Sequence, residues 1–212
     1  MPRRAAAVAA ATGDPKEALR EHLLATAGIL LADRQVASIT TRDIARAAGV
    51  SDGVLYNHFG EKSELLVAAL ARRFGELVAA FREHAPQAGS GAVRENVVRL
   101  VRQLFELDLA ALPLGAKLIS EPGLLSRFWH DIHSGGEGPS GRDIRDVVVA
   151  YLAGEQRLGR IAEIDREAVA DLILGAVALR ATLHLLHGSD ESAVTADLAS
   201  PLLTILEHTK ET

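Results

Sequence analysis

Residues 40–66 read TTRDIARAAGVSDGVLYNHFGEKSELL, and their spacing decides the fold. Thr40 followed three residues later by Asp43 is a capping-box-like start, so a helix begins there. Ile44, Ala45 and Ala48 give that helix an inner face, and its small residues permit close approach of a second helix. Gly49 supplies the positive-φ residue of a tight turn. Val50 plugs the corner, and Ser51 is a good N-cap for the next helix. That helix, about Asp52 to Phe59, turns Leu55 and Phe59 inward at i, i+4. Gly53 and Asn57 then lie almost opposite Leu55, with Val54 and Tyr56 on the flanks. Two short helices joined by a glycine turn form the helix-turn-helix unit, whose second helix enters the major groove of DNA.

Two cations flank this unit. Arg42 and Lys62 each fall in the first turn of a helix, where the macrodipole disfavours a positive charge by roughly 0.3–1 kcal/mol. Solvated surface cations tolerate that cost. A pair of them at helix starts around one helix-turn-helix fits better with DNA phosphates docking there.

The rest of the 212-residue chain sets the context: 48% of its residues are hydrophobic and 24% charged, a globular composition. Only 4% are aromatic, so the core must be aliphatic. The chain has no cysteine, which excludes disulfides, Cys-ligated zinc, iron–sulfur clusters and thiol redox sensing. No uninterrupted apolar run approaches the roughly 20 residues of a membrane span. The expectation is a soluble, cytoplasmic protein with no membrane partner. Met1-Pro2-Arg3-Arg4 and the alanines after it imitate an export signal, but Gly13-Asp14-Pro15 interrupts them before any Leu-rich segment forms. They read as a flexible, slightly basic arm over residues 1–14. The excess of Arg over Lys and the abundant Ala hint at a high-GC bacterial genome.

Charge divides along the chain. Residues 1–60 hold seven basic and six acidic residues, and the remainder 16 basic and 22 acidic. A neutral-to-basic head on an acidic body suggests two tasks in one chain.

Nearly every segment repeats apolar residues at the helical period. Examples are Leu19, Leu23, Ala27, Leu30 and Leu31; Leu66, Leu70, Phe74, Leu77 and Phe81; and Val93, Val97, Leu100, Leu104 and Leu107. The period returns in Val169, Leu172, Ile173, Ala176, Leu179 and Leu183. Breaks are expected at residues 86–91, at Leu112-Pro113-Leu114-Gly115 and at residues 134–141, and Pro201 is expected to kink or split the last helix. The fold class is all-α, with about nine helices. A helix-turn-helix head spans residues 15–62, and a larger helical body spans 63–212.

The segments LLATAGILLADR (23–34) and ITTRDIARAAGVSDGVLYNHFGEKSELL (39–66), in this order and spacing, resemble the DNA-binding head of the TetR family of bacterial transcriptional regulators. Generic helix-turn-helix proteins rarely continue into Tyr56-x-His58-Phe59 and then Lys62. The helical remainder suits that family in length but carries no motif of its own. One departure stands at Gln35, where the family usually ends its first helix with glycine.

The resemblance implies a role for each residue of the unit. Thr41 and Arg42 would contact the DNA backbone, Arg42 also reaching towards a base edge. Ser51, Asp52, Gly53 and Val54 would face the groove, Gly53 by allowing close approach and Val54 by pressing on a thymine methyl. Tyr56 and His58 would hold phosphates, although His58 also suits packing beside Phe59. Asn57 would read adenine, and Lys62 would take a phosphate. Asp52 either caps its helix, the favoured reading, or accepts from cytosine N4.

Specificity implies a homodimer on an inverted repeat of double-stranded DNA. The resemblance places its interface on the last two long helices, about 165–187 and 192–208, with Leu172, Gly175, Ala176, Leu179, Leu183, Leu198 and Leu202. It also implies a small-molecule effector that enters the body and releases a repressor from its operator. Phe105, Asp108, Trp129, Tyr151 and His184 interrupt apolar stripes and are the candidate effector contacts.

No cofactor is expected. The pairs His130/His133 and His184/His187 have metal-compatible spacing, but no carboxylate completes either set, so no metal site is expected. The sequence has no phosphate loop and no nucleophile elbow, so no enzyme is expected. The rival reading is a helical dimer with a vestigial head that acts through protein–protein contacts.

Overall fold

The computed structural model of the protein describes residues 14–133, 141–188 and 190–207. Among these residues there are nine α-helices and no strand. They are α1 (Pro15–Asp33), α2 (Thr41–Ala48), α3 (Asp52–His58), α4 (Lys62–His84), α5 (Val93–Ile119), α6 (Pro122–His133), α7 (Gly141–Arg157), α8 (Arg166–His187) and α9 (Glu191–Glu207). A single 3-10 turn, Val36–Ser38, joins α1 to α2. The arm over residues 1–13 and most of the 134–141 loop lie outside the described residues.

The chain forms two compact units, one of residues 1–75 with 114–138 and the other of residues 76–113 with 139–212. This division differs from a boundary at 62/63. The last turns of α5 and all of α6 belong with the helix-turn-helix.

In the first unit, Leu23, Leu24, Ala27 and Leu31 of α1 share a buried aliphatic core with Ile44, Ala45, Leu55 and Phe59. Leu65, Leu66 and Leu70 of α4 join it, and so do Leu118, Leu124 and Phe128. Pro122 is the first residue of α6, where its missing N–H costs nothing. Arg127 of α6 pairs with Glu61 just before α4.

In the second unit, α7 and α9 both pack on α8. The carboxylate of Glu155 is buried beside Arg160, Nε–Oε2 3.1 Å, and accepts from the amide of Gly89 at 3.3 Å. Arg160 also donates to the carbonyl of Gly91. These bonds tie the 85–92 loop to the end of α7. Gly154 is required there, since a Cβ would meet the Cβ of Ala88 at 2.3 Å.

The break expected at Pro113 does not occur, and Pro201 does not split the last helix. α5 runs unbroken through Pro113 and Gly115, and α9 runs unbroken through Pro201. A proline removes one helical hydrogen bond, and the turns on either side carry both helices past that loss.

α8 is long and apolar enough to cross a membrane by length and composition, yet little of it is buried. Its apolar residues fall on two opposite faces. Val169, Ala170, Ile173, Val177 and Ala181 are buried. Leu172, Leu179, Leu183 and Leu186, with Gly175, form the other face, and there Leu172 is 62% and Leu179 60% exposed.

Candidate nucleic-acid interface

Local sequence accounts for the geometry of the two short helices. The Thr40 hydroxyl accepts from the Asp43 amide at 3.1 Å, and the Asp43 carboxylate accepts from the Thr40 amide at 3.1 Å. The Thr40 hydroxyl bond to Asp43 and the Arg46 guanidinium hold that carboxyl below its ordinary range. α2 ends at Gly49, whose φ of 71° is left-handed. Ser51 then caps α3 by accepting from the Val54 amide at 3.4 Å. Ser51 is therefore the cap and Asp52 is not: the Asp52 carboxylate lies 4.0 Å from the Arg42 guanidinium instead. That ion pair neutralises an acid that DNA would otherwise repel.

α3 has one buried and one open face. Leu55 and Phe59 are fully buried, whereas Ser51, Asp52, Gly53, Tyr56 and Asn57 are exposed and Val54 is half-buried. The Arg20 guanidinium sits 5.1 Å from the centre of the Phe59 ring, fixing the inner face from α1. His22 Nε2 and the carbonyl of Ala48 are 3.0 Å apart, tying α1 to the end of α2. The Thr41 and Tyr56 hydroxyls lie 3.4 Å apart, so the start of α2 and the outer side of α3 present oxygen donors together. Arg42 is exposed beside them, and His58 is half-buried at the end of α3.

Lys62 is less free than its sequence position suggests. Its Nζ donates to the carbonyl of Ile39 at 2.9 Å, so part of its bonding capacity holds the α1–α2 connection.

Gln35 resolves the departure from the family pattern. α1 stops at Asp33, and Arg34 and Gln35 are both extended, with φ of −126° and −70°. No left-handed residue is needed, so no glycine is.

Of the five candidate effector contacts, Phe105 and His184 are brought together. Phe105 is buried and meets His184 edge-on, with ring centroids 5.7 Å apart. His184 Nε2 lies 3.7 Å from a Glu191 carboxylate oxygen. Asp108, one turn beyond Phe105, is half-buried, and burial pushes its carboxyl up to about 6. Tyr151 is buried, and that burial together with the neighbouring Glu155 raises its hydroxyl above the ordinary range. Trp129 belongs to α6 in the other unit, and its side chain lies outside the described ones.

A cleft of about 360 Å³ opens between α4 and α5 in the second unit. Leu77, Phe81 and Leu107 line it with His84, Gln103 and Glu106, residues that no sequence motif marks and that are not among the five candidates. Among the described residues no group of three or more His, Cys, Asp or Glu could hold a metal ion, and His133 lies outside the described side chains.

The candidate interface residues split by exposure. Leu172, Gly175, Leu179 and Leu183 are exposed and Ala176 half-buried, whereas Leu198 and Leu202 are each only 7% exposed and pack within their own chain.

Two capped helices around a glycine turn, with an open second helix and an all-helical body, define a helix-turn-helix DNA-binding fold. Residues 23–69 match the family described as bacterial regulatory proteins, tetR family. Over 95 residues the chain is 34% identical to the HTH-type transcriptional regulator BetI of Rhizobium meliloti strain 1021, covering 43% of this chain and 45% of that protein. Over 68 residues it is 38% identical to the HTH-type transcriptional repressor KstR2 of Rhodococcus jostii strain RHA1, covering 32% and 33% of the two chains. The matched stretches thus span less than half the length of these relatives. The fold as a whole resembles that of the transcriptional regulator FadR from Bacillus subtilis, solved in complex with stearoyl-CoA. That match has a TM-score of 0.61 and 16% identity, and it covers 88% of this chain and 99% of that one. Over residues 23–69 the chain is thus similar to the DNA-binding head of the TetR family of bacterial regulatory proteins.

Proposed function

We propose that the protein is a dimeric transcriptional repressor that binds an inverted-repeat operator and leaves it when a small molecule enters the helical body. The observation that carries this reading is the outer face of α3. Ser51, Asp52, Gly53, Tyr56 and Asn57 stand exposed on a helix fixed from behind by Leu55 and Phe59. Thr41, Arg42 and Lys62 lie around it at helix starts, where phosphates dock. Base contact falls to Asn57, Gly53 and Val54, and phosphate contact to Thr41, Arg42, Tyr56, His58 and Lys62.

The dimer reading is supported by the exposed leucines of α8. A face of this kind on a soluble chain marks an interaction surface. The effector reading is supported by an aliphatic body and by FadR, a neighbour in fold that holds an acyl-CoA. An elongated aliphatic effector suits such a body better than a flat polyaromatic one.

Selection of bound duplexes from a random DNA library, followed by sequencing, tests this. An enriched inverted repeat whose affinity falls steeply with salt supports an operator reader. No enrichment, with and without cell extract, overturns it in favour of a protein-binding helical dimer with a vestigial head.

A further inference from the structure

The end of α1 is a helix terminus that its own sequence leaves open. Its last turn contains no basic residue, and neither Arg34 nor Gln35 adopts the left-handed conformation that returns amides to the final carbonyls. The carbonyl of Leu30 is satisfied locally, by the Arg34 amide at 3.0 Å. Three of the carbonyls after it meet one side chain from far along the sequence. The Nζ of Lys117, in the last turn of α5, donates to the carbonyls of Leu31, Arg34 (3.0 Å) and Ala32 (3.5 Å). An ammonium has three protons, and here three carbonyls receive them at the negative end of a helix dipole.

Beyond this cap the chain leads directly to the DNA-reading helices. Val36 and Ile39 are buried in the head core immediately after α1, Ile39 precedes the Thr40 cap, and α2 and α3 come next. The end of α1 therefore fixes where α2 begins. We infer that Lys117 is a positioning residue for DNA binding: supplied by α5 in place of the missing glycine cap, it holds the end of α1 and so sets the placement of α2 and α3 without touching DNA. The inference rests on the DNA-binding reading above.

The test uses the full chain with Lys117→Met, which keeps the stem and removes the donors, and Lys117→Arg, which keeps charge and donors. The probe is the duplex enriched by the wild-type protein. Affinity is measured at several salt concentrations at a temperature where circular dichroism shows all variants folded, and amide exchange is followed at Arg34. Lys117→Gln replaces Lys117→Met if the latter does not fold. Lys117→Met is expected to weaken binding about 3- to 10-fold with an unchanged salt slope, and to speed Arg34 exchange. Lys117→Arg should stay within about twofold of wild type on both. A slope flatter by about one unit would make Lys117 a phosphate ligand and overturn positioning. Unchanged affinity with faster exchange reduces the cap to local stability, and unchanged exchange removes the cap itself. If the wild-type protein enriches no duplex, the DNA-binding reading fails and the positioning role with it. Enrichment by the wild type with equal affinity of Lys117→Met for the enriched duplex defeats the positioning role alone.

Discussion

The ammonium of Lys62 donates to the carbonyl of Ile39 at 2.9 Å, yet it has two further protons to give. It can therefore brace the α1–α2 connection and hold a phosphate at once. Lys62→Ala is expected to weaken binding to every duplex and to flatten the salt slope by about one unit. A weaker but equally steep salt dependence would leave only the brace. Asn57 stands exposed on the outer face of α3, so replacing it should change which sequences are selected. An unaltered selected motif removes it from the base readers. Asp108 offers a different readout, because burial raises its carboxyl to about 6. The folded chain holds its proton more tightly than the unfolded chain does. The group therefore favours folding fully below its ordinary value of 3.8, and that contribution is lost as pH rises through about 6. A shift of this size is worth about 3 kcal/mol at complete burial, and partial access to water cuts it to roughly 1–2 kcal/mol. Asp108→Asn should thus stabilise the protein by that amount at about pH 8 and leave it unchanged at about pH 3. Urea midpoints at the two pH values decide the matter; equal midpoints at the higher pH count against it.

At the scale of elements, the turn between α2 and α3 isolates one physical term. A Cβ added at Gly49 would meet nothing within 4 Å, but the residue sits at φ 71°. Gly49→Ala should therefore cost about 1 kcal/mol through backbone conformation alone, and Gly49→Asn less, since asparagine tolerates this region. Thr40→Ala should cost about 1 kcal/mol through the lost capping box. Thermal melts of the three variants test both, and an equal loss for Ala and Asn at 49 would defeat the conformational account. These elements were legible in the sequence because caps, turns and the i, i+4 inner face are short-range features. Pro113 and Pro201 misled for the same reason: a local rule predicts a break, whereas long flanking helices carry α5 and α9 through. The placement of α6 with the head was not legible either. Leu124 and Phe128 are buried in the head core, and no short-range feature of the sequence says against which helix. Lys117 lies more than eighty residues from the carbonyls it caps, so its only trace in the sequence was the absent glycine at Gln35.

For the whole molecule, the two faces of α8 predict different consequences for the same kind of change. One face is buried under α7 and α9, while Leu172, Leu179, Leu183 and Leu186 stay exposed in a single chain. A helix apolar on both sides leaves its second face in water unless another surface covers it, and Gly175 among the leucines lets a partner helix approach closely. In the proposed dimer, a second copy with two-fold symmetry would cover this face with itself. Leu179→Glu should then yield a folded monomer, since a residue 60% exposed can take a charge without disturbing the protomer. Leu202→Ala, at a side chain 7% exposed, should instead destabilise the fold by the roughly 2–5 kcal/mol of a core cavity and so lower the melting temperature. Sedimentation at micromolar concentration and a thermal melt separate the two effects. A wild-type chain that already sediments as a monomer rules out the dimer, and with it the reading of an inverted repeat. A Leu179→Glu chain that stays dimeric moves the interface elsewhere on the body. A monomer that is folded yet binds half of the selected repeat only weakly would show that the head reads bases by itself and that pairing through α8 supplies the rest of the affinity.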